Sequence, residues 1–105
     1  MNEIALKLPE ASIKAFCRRW RIAEFALFGS ILRKDFSPES DIDVLVTFTP
    51  DARWSLLDHV EMQHELEELL GRKVDLVSRQ GIANSQNHIR KQEILNSAQV
   101  IYAFA

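Results

Sequence analysis

Apolar positions along this chain change period several times, and each change marks an element. Ile13, Phe16, Cys17 and Trp20 recur at helical spacing behind Pro9, a residue suited to a first helical turn, and predict an amphipathic helix over 9–20. The next run, Ala23-Glu24-Phe25-Ala26-Leu27-Phe28, reads as a buried strand ending at Gly29. A short helix is expected from Ser30, and Pro38 breaks the chain before a strand over 41–48 that Pro50-Asp51 closes. Ser55 caps a long helix that reaches Leu70 and stops at Gly71. Residues 73–78 predict a third strand. Gly81 opens a polar stretch from which a helix emerges near Ser85 and runs to about Asn96, and Gln99 to Ala103 form a last strand. The order α-β-α-β-α-β-α-β, free of repeats, linkers and low-complexity segments, predicts an α/β (α+β) fold: a mixed sheet of about four strands with helices packed on it. Periodicity leaves the strand order open.

The chemistry concentrates between the first two strands. Gly29-Ser30 is followed, ten residues later, by Asp41-Ile42-Asp43 at the opening of an apolar strand. Side chains two apart on a strand share a face, so Asp41 and Asp43 project together. Adjacent like charges repel unless a cation neutralises them, and hard divalent cations such as Mg2+ prefer carboxylate oxygens. Gly29-Ser30 offers backbone N–H groups and a hydroxyl, which suit a phosphate. A third carboxylate, Asp75, lies within the apolar run Val74-Asp75-Leu76-Val77; it reads either as a metal ligand or as an outward-facing or salt-bridged residue.

This pattern, G-S-x10-D-x-D followed by an apolar strand, resembles the DNA polymerase β-like nucleotidyltransferase superfamily, and within it the minimal nucleotidyltransferase (MNT) domain. Arg33 and Asp35 stand where the family carries the Arg and Asp of an Arg-Gly-Asp turn; Lys34 replaces the usual Gly. The resemblance implies a palm-like sheet with one face open and two Mg2+ ions roughly 4 Å apart. It further implies that Asp41 and Asp43 bridge both ions, while Asp75 binds one and orients the acceptor's proton. Gly29 and Ser30 then hold the β- and γ-phosphates of ATP, and Arg33 either reaches a phosphate or pairs with Asp35 or Glu39. The resemblance also implies a partner, because stand-alone MNT proteins of this size are commonly paired with HEPN-domain toxins in toxin–antitoxin modules. The expected function is therefore transfer of AMP from ATP to a hydroxyl, tyrosine above all, of a HEPN toxin, with the chain as antitoxin in a hetero-oligomer. A binding-only antitoxin, which neutralises its partner without significant catalysis, is the alternative that Lys34 keeps open. A small-molecule nucleotidyltransferase would need a substrate pocket of which the sequence gives no sign.

Composition narrows the field. A chain of 105 residues reads as one domain, 1–105, with no room for the second domain that larger relatives use. A net charge of −2 without a concentrated basic face argues against direct nucleic-acid binding. One cysteine precludes an intrachain disulfide and fits a reducing cytoplasm. No apolar run approaches the ~20 residues of a membrane span. Among other residues, Cys17 reads as buried packing, Trp54 as a core or interface residue, and Glu65, Glu67 and Glu68 as a solvated helix face. His59 is expected half-buried on a stripe with Leu56, Val60, Leu66 and Leu70, and His64 and His88 have no evident partner.

Overall fold

The computed structural model describes residues 9–29, 41–84 and 86–103. In chain order they form α1 (Glu10–Arg19), β1 (Ile22–Phe28), β2 (Ile42–Phe48), α2 (Leu56–Leu70), β3 (Val74–Ser78), α3 (Arg79–Ala83), α4 (His88–Ser97) and β4 (Gln99–Ala103). The strands make a four-stranded mixed sheet in the order β3-β2-β1-β4. β1 runs antiparallel to both β2 and β4, whereas β2 and β3 are parallel and joined by the α2 crossover. The short helix expected from Ser30 lies outside the described residues.

Local signals explain most boundaries. The Ser55 hydroxyl accepts from the Asp58 backbone N–H, the Asp58 carboxylate accepts from the Ser55 N–H, and Gly71 ends α2 at φ 69°. In α1, Glu10 in the first turn and Arg18 and Arg19 in the last complement the helix dipole. Its C-terminus turns into β1 through Arg21, which takes a left-handed φ of 55°. One expectation is corrected: the chain does not run through a polar stretch after β3 to a helix beginning near Ser85. Ser78 caps a short helix at once, its hydroxyl accepting from the Gly81 N–H, so Gly81 lies inside α3, and α4 begins at His88.

The central strands lack strict alternation because both of their faces are covered. One face packs under α1 and α2, with Ile13, Phe16, Cys17, Met62 and Leu66 against Phe25, Leu27, Ile42, Val44, Val46, Val74 and Leu76. The other face carries a smaller cluster, in which Ala26, Phe28 and Leu45 meet Ile82 of α3 and Ile94 of α4. Among the described residues no helix is long and apolar enough to cross a membrane.

Candidate active site

Asp43 sits one residue into β2. Its register partner on β1 is Phe28, and on β3 it is Asp75. Neighbouring strands stand about 4.8 Å apart, so residues directly opposite on a parallel pair share a face. That face is identified by Leu45 and Val77, two residues further along each strand, which belong to the smaller cluster beneath α3 and α4. Alternation therefore places Asp43 and Asp75 on the α3/α4 side. Both are half-buried, while Asp41, immediately before β2, is exposed.

Gly29 follows β1 at φ 74°, a conformation natural for glycine. A Cβ there would stand 2.2 Å from Oδ2 of Asp43 and 3.1 Å from its Cγ. The Asp43 carboxylate thus occupies the space that a side chain at position 29 would fill. This close approach is the structural reason for glycine at the position.

Asp75 is held by the strand on which it rides. β3 is a sheet edge, and edge strands leave a row of backbone groups without strand partners. Here α2 supplies them from residues four apart. The Glu67 carboxylate accepts from the Val74 N–H at 3.0 Å, the Gln63 side-chain oxygen accepts from the Leu76 N–H at 3.4 Å, and the His59 Nε2 meets the Leu76 carbonyl at 2.9 Å. The residues on either side of Asp75 are so tied to α2, which fixes its position against Asp43. The spacing 59, 63, 67 was the available sequence signal for this ladder.

The donor set consists of carboxylate oxygens, which fits a hard divalent cation and not a thiophilic one. Asp43 and Asp75 face one another across the parallel pair, and Asp41 stands two residues upstream. Among the described residues, however, no three His, Cys, Asp or Glu side chains are drawn together into a group that could hold a metal ion. Ser30 and Arg33, the expected phosphate contacts, lie outside the described residues, as does Lys34.

The sequence matches the nucleotidyltransferase domain family over residues 10–101. The chain belongs to that family. A candidate protein adenylyltransferase of Methanocaldococcus jannaschii is 38% identical over 98 residues, which cover 93% of this chain and 94% of that protein. The protein adenylyltransferase MntA of Thermococcus cleftensis is 38% identical over 69 residues, 66% of this chain and 68% of the relative. A solved candidate minimal nucleotidyltransferase shares 31% identity at a TM-score of 0.64, with 85% of each chain covered. The MNT antitoxin complexed with a tri-AMPylated HEPN toxin of Shewanella oneidensis shares the fold: the TM-score is 0.61 at 20% identity, covering 90% of this chain and 70% of that one. The mixed four-stranded sheet is therefore that of a minimal nucleotidyltransferase.

Elsewhere in this nucleotidyltransferase, Cys17 and Trp54 fall as expected. Cys17 is fully buried, and Trp54 stacks edge-on against Trp20 with centroids 5.1 Å apart and donates from Nε1 to the Trp20 carbonyl at 2.9 Å. Two expectations are corrected. Glu65 and Glu67 are not merely solvated: Glu65 accepts from Arg19 and from Trp20 Nε1 at 2.7 Å, and Glu67 serves β3. The sheet-facing stripe of α2 runs through His59, Met62, Leu66, Leu69 and Leu70, so His59, Leu66 and Leu70 fall as expected, whereas Leu56 and Val60 are exposed. His64 and His88 are also exposed.

Proposed function

We propose that this nucleotidyltransferase is a single-domain protein adenylyltransferase, spanning 1–105, that moves AMP from ATP to a tyrosine hydroxyl of a HEPN-domain toxin in the cytoplasm, and so acts as its antitoxin. The observation that carries this reading is the in-register pair Asp43–Asp75 with Gly29 packed against the Asp43 carboxylate. The relatives support the acceptor class: one is named a protein adenylyltransferase, and a structural neighbour is complexed with an AMPylated HEPN toxin.

In this reading Asp43 and Asp75, in register on one face, and Asp41, two residues upstream, would hold Mg2+, two ions in all, with the three carboxylates drawn together by the cations themselves. When bound, the cations supply charge neutralisation for the triphosphate and the leaving pyrophosphate. Gly29 contributes its backbone, and Ser30 and Arg33 their side chains, to the phosphates. Asp75 orients the acceptor O–H. The acceptor oxygen bonds to the α-phosphorus, the bond from that phosphorus to the bridging oxygen breaks, pyrophosphate departs, and the acceptor's proton leaves towards the carboxylate.

The test is the intact mass of a co-produced HEPN partner after incubation with ATP and Mg2+. One or more added AMP masses are expected, absent with Asp41→Asn/Asp43→Asn, whose fold is retained because like-charge repulsion is relieved. Transfer by the double variant would overturn the assignment of these carboxylates. An unmodified partner that remains bound by both forms would instead establish the binding-only antitoxin.

A further inference from the structure

The first turns of α2 present an apolar ridge to solvent: Leu56 is 79% exposed, Leu57 81% and Val60 44%. Scattered apolar residues need no explanation, but this ridge borders a cleft of about 410 Å³. Phe48, Trp54, Leu56 and Met62 line the cleft together with Ser78 and Gln80. A ridge beside an aromatic-walled recess is the form of surface that receives a helix and seats one anchoring side chain.

Charge indicates the occupant. α2 carries five carboxylates, Asp58, Glu61, Glu65, Glu67 and Glu68, and neither Lys nor Arg. Asp58 is engaged in the helix cap, Glu65 with Arg19 and Trp20, and Glu67 with β3. Glu61 and Glu68 remain exposed along the helix from the apolar ridge. Two copies of this chain packed α2 on α2 would set like charges against each other. A partner helix with an apolar stripe flanked by Lys or Arg is complemented on both counts.

The ridge also lies away from the chemistry. α2 covers the α1/α2 face of the sheet, opposite the face of Asp43 and Asp75, and Phe48 stands at the other end of β2 from Asp43. Five residue steps along the strand separate Phe48 from Asp43, on the order of 16 Å. An occupant of the ridge leaves the carboxylates uncovered.

We propose that the ridge of Leu56, Leu57 and Val60, with the adjoining Phe48–Trp54 cleft, is the docking surface for the protein acceptor, which binds through an amphipathic helix with basic flanks while a separate segment presents its hydroxyl to the carboxylates. The inference rests on the adenylyltransferase reading and names the surface by which that enzyme holds its substrate. Docking of this kind stabilises ground state and transition state alike, so it acts on KM and not on kcat.

The experiment compares wild type with Leu57→Asp/Val60→Asp and with Glu61→Lys/Glu68→Lys, using a HEPN-domain toxin from the same genome. Both the affinity of the complex and the kinetics of AMP transfer are read. The first variant is expected to weaken the complex and raise KM for the toxin by about tenfold or more, with kcat, KM for ATP and melting temperature unchanged. The charge-reversed variant is expected to weaken both at low salt and to converge on wild type at high salt. Wild-type affinity and KM in Leu57→Asp/Val60→Asp would overturn the proposal. So would a wild-type dimer in sedimentation that this variant disperses, since a second copy would then own the ridge. If wild type binds the toxin but transfers no AMP, the catalytic reading fails, and the affinities alone decide the docking surface.

Discussion

The two faces of the sheet are built to different ends. Beneath α1 and α2, fourteen buried residues form the larger cluster among the described residues, from Ile13 on α1 to Leu76 on β3. Beneath α3 and α4 the cluster holds five, and α3 is only five residues long. The shorter cover rests on Leu45, Val77 and Phe28, the register partner of Asp43, and leaves Asp43 and Asp75 half-buried beside it on the same face. Hydrophobic burial is the dominant favourable term in folding, so the first face carries most of the stability and the second can present charge. Damage to the two faces should accordingly register in different assays.

The sharpest probe of the open face is Gly29→Ala. The new Cβ meets the Asp43 carboxylate at 2.2 Å, and the residue must also keep a φ of 74°. The carboxylate has to move, and a misplacement of about 1 Å at a reacting centre costs roughly 10²-fold in rate. AMP transfer is expected to fall at least about 100-fold, while stability falls by only ~1–2 kcal/mol from the left-handed backbone. A variant that transferred at the wild-type rate would remove Gly29 from the site.

The matching probe of the closed face is Leu66→Ala. Leu66 is fully buried among Met62, Val44 and their neighbours, and truncation of such a residue costs about 2–5 kcal/mol. Chemical denaturation should show that loss, with kcat per folded molecule unchanged. A kcat that fell along with stability would mean that the faces are not separable, and that α2 transmits core damage through the His59, Gln63 and Glu67 ladder to β3.

How much of this could be read from residues alone depends on the range of the interaction. The α2 limits follow from Ser55 and Gly71, both of which act within a few residues, and they appear where the sequence places them. Likewise Gly29 and the Asp41/Asp43 spacing are local and led directly to this region. The alignment of Asp75 with Asp43 is a register between segments joined by a crossover, and no local pattern specifies it. α3 was hidden because Gly81 looks like a breaker, although its N–H is the group that the Ser78 hydroxyl caps. The face that α2 turns to the sheet departs from its apolar pattern for a related reason. An edge strand needs polar partners, so the side turned to the sheet contains His59, Gln63 and Glu67, and Leu56 and Val60 are left in water.

Cys17 offers the mildest test of the same contrast. It is fully buried in the α1/α2 face, and burial pushes its thiol up to about 12 from an ordinary 9.0. Only the thiolate is reactive, so native Cys17 should resist alkylation at pH 8 and react when denaturant opens the face. Above pH 9 the unfolded chain releases a proton that the folded chain keeps, so stability falls as pH rises from about 9 towards about 12, by on the order of 1 kcal/mol at pH 10. Cys17→Ala should abolish that alkaline component. In Leu66→Ala the alkylation rate should rise about tenfold for each 1.4 kcal/mol of stability lost, because labelling tracks the population of the open form. In Gly29→Ala it should rise only by the small factor that the backbone strain predicts. Rapid labelling of the native wild type would show that the face under α1 and α2 opens readily, and the division of labour between the two faces would then fail at its more secure half.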